Sequence, residues 1–210
     1  MGARSWKTWT VPAGLVVLSL VPAVAGSVRL AELGTSAEIT PANARFFAHP
    51  VATSLHIVSS LVYALLGAFQ VPDGIRRAFP RWHRGAGAVL VPAGFAMALS
   101  GLWLTCAMPA APYDGPALFA TRLVVGAMIL AFLVLGVRAL AARDFADHGA
   151  WMTRAYALGL GAGTQVLTHL PWLLFPEIRG ETLRAVLMGA GWALNAVVCE
   201  LVLARRRRSF

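Results

Sequence analysis

Six long apolar runs divide this chain of 210 residues, and they constrain its fold more than any other feature. Each run exceeds the about 20 residues that an α-helix needs to cross the hydrocarbon core of a bilayer. An α-helix can lie in this core because its backbone N–H and C=O groups form hydrogen bonds with each other. Only 13% of the residues are charged, against about 25% in a typical soluble domain. The sequence therefore predicts an all-α fold, a polytopic transmembrane helix bundle of about six spans. The runs are Thr10 to Leu30, Phe47 to Val71, Arg84 to Met108, Ala117 to Ala142, Trp151 to Phe175, and Leu183 to Ala204.

The basic residues between the runs predict the orientation of the bundle. Cytoplasmic loops carry an excess of Lys and Arg. Successive predicted spans place the connecting segments alternately on two sides of the membrane. The side that holds the N-terminus carries thirteen Lys and Arg residues, and the opposite side carries four. Both termini are therefore predicted to be cytoplasmic, in a multi-pass protein of a bacterial inner (plasma) membrane. The net charge of +9 follows this asymmetry, so the predicted partner is the lipid bilayer and not a nucleic acid. The thirteen are Arg4, Lys7, Arg76, Arg77, Arg81, Arg84, Arg138, Arg143, Arg154 and Arg205 to Arg208.

The first run resembles a secretory signal as well as a membrane span. Arg4 and Lys7 precede an apolar core that ends in Ala23-Val24-Ala25, the order of regions found in signal peptides. Cleavage after Ala25 and an uncleaved anchor are both open, and we favour the anchor. The predicted organisation is a signal-anchor or signal-peptide-like helix over residues 1–30, followed by a five-helix bundle over residues 31–210.

A polar stripe runs along the second apolar run. His49, His56, Tyr63 and Gln70 recur every seven residues, which keeps them within a narrow arc of one helix face. Polar groups are costly inside a membrane unless they face the interior of the bundle. We therefore expect this stripe to point inward.

The fifth and sixth runs carry a second set of interior polar residues. Arg154 and Gln165 are eleven residues apart, about three helical turns, so they share a face, and His169 follows one turn later. Glu200 in the sixth run falls at about the depth of Arg154, which favours an ion pair between them. The same residues are also compatible with a proton path.

The histidines fall into an outer and an inner group. His56 and His169 lie at similar depth toward the outer side, whereas His83 and His148 start the third and fifth spans at the cytoplasmic interface. Two histidines at one depth on facing helices are the arrangement that axial ligation of haem b requires. All four are candidate haem or metal ligands, with Tyr63 and other interior polar residues around them. The alternative is that they bond carbonyl groups or lipid phosphates and hold helices together.

Three sequence elements resemble a bacterial multi-pass family, domain of unknown function 2306 (DUF2306). They are Leu55-His56-Ile57 with Gly67 to Gln70, then His83-Arg84-Gly85-Ala86-Gly87, then the run from His148 to Arg154. The resemblance covers about residues 49–175 and implies a polytopic bundle without an established activity. Gly149 stands where the family pattern has an arginine. The pattern residues of the last two elements are His83, Arg84, His148, Trp151, Met152 and Arg154.

These features leave three functional hypotheses. The first is an electron-transfer or redox-linked membrane protein with haem or metal at the histidines, working with a membrane redox partner or a quinone. The second is a non-enzymatic assembly or accessory protein, in which the polar stripes only hold helices together. The third is a small-molecule or proton transporter, which the absence of an inverted repeat and of an expected midspan break disfavours. Neither a catalytic residue nor an oligomeric state follows from the sequence.

Overall fold

The computed structural model of the protein describes residues 4–35 and 37–208, with side chains from residue 9 onward. Every regular element in these residues is a helix, which confirms the predicted all-α bundle. The side chains of Arg4 and Lys7, used above for the orientation, lie outside the described part. The α-helices are α1 (Arg4–Gly34), α2 (Ala44–Phe47), α3 (Pro50–Gly67), α4 (Asp73–Ala78), α5 (Pro80–Ala107), α6 (Pro116–Ala141), α7 (Phe145–Gly159), α8 (Gly161–Thr168), α9 (Leu170–Leu174) and α10 (Glu181–Arg208), with a 3-10 turn at Pro176–Ile178.

The starts of the long helices follow from local sequence. Pro50, Pro80 and Pro116 stand in the first turns of α3, α5 and α6, where a missing N–H costs nothing and a fixed φ suits the helix. The start of α7 has a polar cap, since the Asp144 side chain accepts a hydrogen bond of 3.0 Å from the Asp147 backbone N–H.

Five helices in the described residues, α1, α3, α5, α6 and α10, are long and apolar enough to cross a membrane. They agree with five of the six predicted runs. The fifth predicted run, from Trp151 to Phe175, is helical but divided, at Leu160 and again at His169. The break at Leu160 is slight: its N–H bonds Tyr156 O at 3.0 Å, and the Thr164 N–H reaches Leu160 O at 3.4 Å. A transporter was disfavoured partly because no midspan break was expected, and the break at Leu160 weakens that objection.

The divided segment nevertheless runs along the middle of α10. Arg154 pairs with Glu200, and Thr168 Oγ1 donates to Leu187 O. Between them, Asn195 Nδ2 donates to Ala157 O. The descending numbers on α10 show an antiparallel pair. This pairing agrees with the predicted count of about six spans, and the crossing by α7 and α8 stays a prediction.

The bundle has two ends, which we name by what they carry. The terminal end holds the start of α1 and the end of α10, and there Arg206 Nη2 donates to Val71 O at 2.9 Å. The opposite, distal end holds the loop between α5 and α6, where Arg184 of α10 bonds Asp114. The basic residues predict a cytoplasmic terminal end, and this orientation stays a prediction.

The core lies where α7 and α8 meet their neighbours, since these two helices contact α1, α3, α6 and α10 between them. Tyr63, Met97, Leu133, Tyr156 and Leu160 belong to the central buried cluster. Large apolar side chains face outward along the bundle, and Val51 is 82% exposed. Such outward apolar residues suit contact with lipid tails.

Candidate functional site

The polar stripe of the second run faces α5. His56 Nδ1 donates to Met97 O at 3.0 Å and lies 3.2 Å from Ser100 Oγ. His49, the residue before α3, places Nε2 3.3 Å from Ala107 O. Tyr63 packs one level deeper, where a Cβ on Gly94 of α5 would meet its ring at 2.7 Å. These three side chains therefore join α3 to α5.

Gln70 ends the stripe beyond α3, in the turn that leads to α4. Its Nε2 is buried and has no hydrogen-bond partner among the described residues. A buried amide without a partner lowers stability. Contacts between helices therefore do not account for a glutamine at this end of the stripe.

The second set of polar residues joins α8 to α10. Gln165 Nε2 donates to Met188 O at 3.1 Å. His169 Nδ1 donates to Gln165 O at 2.8 Å, one turn back on its own chain segment, and its ring lies 6.4 Å from that of Trp172. A Cβ on Gly161 would overlap the Trp192 indole. The small residues of this segment thus accommodate neighbouring side chains.

The outer candidate ligands have separate surroundings. The His56 ring is directed at α5, where a Cβ on Gly101 would come within 3.0 Å of it, whereas the His169 ring lies beside Trp172. Helix α1 packs against both α3 and α8. The two histidines thus have their contacts in different parts of the bundle, His56 with α5 and His169 with its own segment.

The predicted ion pair between α7 and α10 is confirmed. Arg154 Nε and Nη2 bond the two Glu200 carboxylate oxygens at 2.6 and 2.9 Å. The guanidinium carbon also lies 4.7 Å from the centre of the Trp151 ring. This fork-shaped contact fixes the rotation of α7 against α10, and it uses two residues of the family-like element.

The terminal end brings the two more specific family-like elements together. His83 starts α5 and His148 starts α7, and the charges of Arg76 and His148 both act on His83. His148 Nδ1 donates to Gly136 O at 2.9 Å, which leaves Nε2 available. His83 Nδ1 is buried and lacks a hydrogen-bond partner in the described part of the chain. A Cβ on Gly149 would lie 3.9 Å from Arg76 Nη1, so the departure from the family pattern falls at this cluster.

An apolar pocket of about 230 Å³ lies at the same end of the bundle. It was missed by sequence reasoning, because its walls come from the start of α1, the end of α3, α4 and the start of α5. Aromatic residues beside Gln70 and His83 were the available signal. The pocket is lined by Trp9, Phe69, Ile75, Phe79 and Trp82.

The chemical options of these sites are limited by their donors. No group of three or more His, Cys, Asp or Glu side chains suited to a metal ion occurs among the described residues. A pair of imidazoles, such as His83 and His148, is the set that axial ligation of haem b uses. Arg84, exposed next to His83, and Met152, packed against Gly136, complete the pattern residues.

Comparison with known proteins gives one match. The family described as Predicted membrane protein (DUF2306) matches residues 53–203. Searches among curated proteins and among solved structures each gave no match. The family match covers more than half of the chain and includes α3, α5, α6, α7, α8 and most of α10. The chain therefore belongs to the DUF2306 family of predicted membrane proteins.

Proposed function

We propose that the chain is a non-enzymatic assembly or accessory protein of a bacterial inner membrane. The observation that carries this proposal is the use made of the interior polar side chains. They bond backbone carbonyls of neighbouring helices and thereby hold the bundle in one arrangement. The polar stripe of the second run and the second set of interior polar residues would then be structural contacts. The outer surface of the bundle would carry the function.

These contacts connect α3 to α5, and the divided segment of α7 and α8 to α3, α6 and α10. Tyr156 OH of α7 donates to Ala64 O of α3 at 2.7 Å, and His148 joins α7 to α6. Gln165 of α8 donates a hydrogen bond to α10, and Asn195 of α10 donates one to α7. Such interhelical hydrogen bonds contribute about 0.6 to 2 kcal/mol each in membranes. Their concentration around the divided segment, which they join to three other spans, supports a scaffold.

Native gel electrophoresis of the host membranes tests this function. An accessory protein extracted in a mild detergent should migrate in a complex with other proteins, well above its own 22.3 kDa chain. Its deletion should reduce the amount of that complex and leave unrelated membrane complexes unchanged. Migration as a monomer or a homo-oligomer alone would contradict the proposal.

A second candidate, a redox-linked function, is favoured by the histidines of the terminal end. His83 lies at the start of α5 and His148 at the start of α7, and His83 has a buried nitrogen without a partner among the described residues. Ligating histidines commonly donate their other ring N–H to a carbonyl, as His148 does to Gly136 O. This observation supports His83 and His148 as haem ligands over His56 and His169. A quinone or a membrane redox partner would then exchange electrons at this end.

An absorption spectrum separates the two functions. The protein should be expressed with haem supplementation, purified in detergent, and measured oxidised and after dithionite reduction. A reduced b-type band that disappears in both His83→Ala and His148→Ala, and persists in His169→Ala, would establish the redox function. A colourless, folded protein would leave the accessory function.

A further inference from the structure

Charged residues of the distal end lie around a buried carboxylate. Asp114, in the loop before α6, accepts hydrogen bonds from Arg122 Nη1 at 2.8 Å and from Arg184 Nε at 2.6 Å. Its side chain is 6% exposed. Burial raises the pKa of this carboxyl, but the hydrogen bonds and charges of the two arginines outweigh it, so the pKa lies below its ordinary value. Asp114 is therefore ionised and fully engaged at neutral pH.

A third arginine stands beside this group without a carboxylate of its own among the described residues. Arg45 Nε is buried and has no hydrogen-bond partner there. Its Nη2 donates to the weakly accepting sulfur of Met108 at 3.9 Å, and its guanidinium carbon lies 5.4 Å from the centre of the Phe46 ring. Burial lowers the pKa of the Arg45 guanidinium, Asp114 raises it, and the charges of Arg122 and Arg184 lower it further. Arginine stays charged in proteins, so the arrangement holds an uncompensated cation.

The charge balance of the distal cluster, which we define as Arg45, Asp114, Arg122, Glu181 and Arg184, is positive. Glu181 places its carboxylate against Gly115, next to Asp114. Three guanidinium groups thus face two carboxylates. The helices α6 and α10 also begin here, at Pro116 and Glu181, and helix N-termini carry partial positive charge. A half-buried guanidinium that has no carboxylate of its own among the described residues suits an oxygen anion in such a field.

We propose that the distal cluster binds a phosphate-type oxyanion through Arg45, with Arg122 and Arg184 supplying the surrounding positive charge. Two sources carry this chemistry at a membrane surface: free phosphate from solution and the headgroup of an acidic phospholipid. The site is distinct from the terminal end and does not depend on the proposed function.

Thermal unfolding of the full-length protein in a zwitterionic detergent tests this site, followed by the fluorescence of its seven tryptophans. Inorganic phosphate is titrated against sodium chloride at equal ionic strength, because phosphate also stabilises proteins by exclusion from their surface. The second probe is phosphatidylglycerol added to the micelles, with phosphatidylcholine as its reference. Binding to the folded state raises the unfolding temperature in a saturable manner.

The comparison of two arginine variants makes the test specific. Arg45→Gln should raise the half-saturating concentration of the active probe by about tenfold, since it removes a charge-assisted contact. The matched control is Arg29→Gln, because Arg29 also lies over the Phe46 ring, at 4.1 Å, but is paired with Glu32. This control should respond as the wild type does. The readout is the probe-dependent increment, so a lower starting stability of either variant does not obscure it.

Each outcome decides the proposal. A saturable response to phosphate that Arg45→Gln weakens and Arg29→Gln keeps supports a site for a free anion. The same pattern with phosphatidylglycerol alone supports a headgroup site. No saturable response to either probe, or an equal response in Arg45→Gln and the wild type, overturns the proposal.

Discussion

His56 shows how one polar side chain is held inside the bundle. Its Nδ1 donates to Met97 O across the α3–α5 contact, and its ring fills the space above Gly101. We expect His56→Ala to lower the free energy of unfolding by about 0.6 to 1.7 kcal/mol, the range of interhelical hydrogen bonds in membranes. His169→Ala is the matched control, because His169 bonds a carbonyl of its own segment. Denaturation in detergent should show the smaller loss for His169, and an equal or larger loss there would contradict the assignment.

Asp114 gives the fold a defined dependence on pH. Its pKa is lowered in the folded state, so its contribution is present above the ordinary carboxyl pKa of about 3.9 and is lost as pH falls through the lower folded value. Asp114→Asn should cost about 1.5 to 3 kcal/mol at pH 7, because two charge-assisted hydrogen bonds are weakened. Unfolding measured from pH 7 to pH 3 should show the difference between the Asp114→Asn variant and the wild type shrinking only at the acid end. A difference that disappears already near pH 6 would point to another titrating group.

At the scale of helices, an ion pair sets the rotation of α7 on α10. Arg154 and Glu200 form a two-bond contact, but the Glu200 side chain is 56% exposed. Solvent screening therefore limits the expected coupling to about 0.5 to 1 kcal/mol. A double-mutant cycle with Arg154→Gln and Glu200→Gln measures it as the departure from additivity. A coupling near zero would mean that the Arg154 contact with Trp151 is the main one.

Close packing of α8 on α10 depends on Gly161. A Cβ there would overlap the Trp192 indole, whereas a Cβ on Gly189 meets nothing within 4 Å. Gly161→Ala should destabilise the bundle by about 1 to 3 kcal/mol through overpacking. Gly189→Ala, in the interior of α10, should be neutral or stabilise by up to about 1 kcal/mol through helix propensity. Thermal unfolding of both variants in one detergent makes the comparison, and equal effects would place the contact elsewhere.

The sequence predicts the five continuous long helices better than it predicts the divided segment of α7 and α8. Length and hydropathy were enough for α1, α3, α5, α6 and α10, because a membrane span needs little else. The division at Leu160 falls among Gly159, Gly161 and Gly163, and glycine is a poor helix former, but length and hydropathy alone do not report it. Depth also predicted the pairing of Arg154 with Glu200, but not the partner of His56, because depth along a helix does not fix the direction of a ring.

At the scale of the whole molecule, the number of crossings determines where the chain ends. Five continuous spans alone would leave the termini on opposite sides of the membrane. The antiparallel pairing of α7 and α8 with α10, from Arg154–Glu200 to Thr168–Leu187, predicts a sixth crossing. An even number would return the C-terminus to the side of the N-terminus. The excess of arginine at the terminal end predicts that this side is the cytoplasm.

Cysteine labelling in intact cells tests this topology. A single cysteine is introduced after Arg208, in a variant whose two native cysteines are replaced by alanine, and a second protein carries it at Glu38 in the loop after α1. A membrane-impermeant maleimide should label the Glu38→Cys protein in intact cells and the C-terminal one only after lysis, because the former lies at the distal end and the latter at the terminal end. Labelling of both sites before lysis would remove the sixth crossing, whereas the reverse pattern would keep six crossings and invert the predicted orientation.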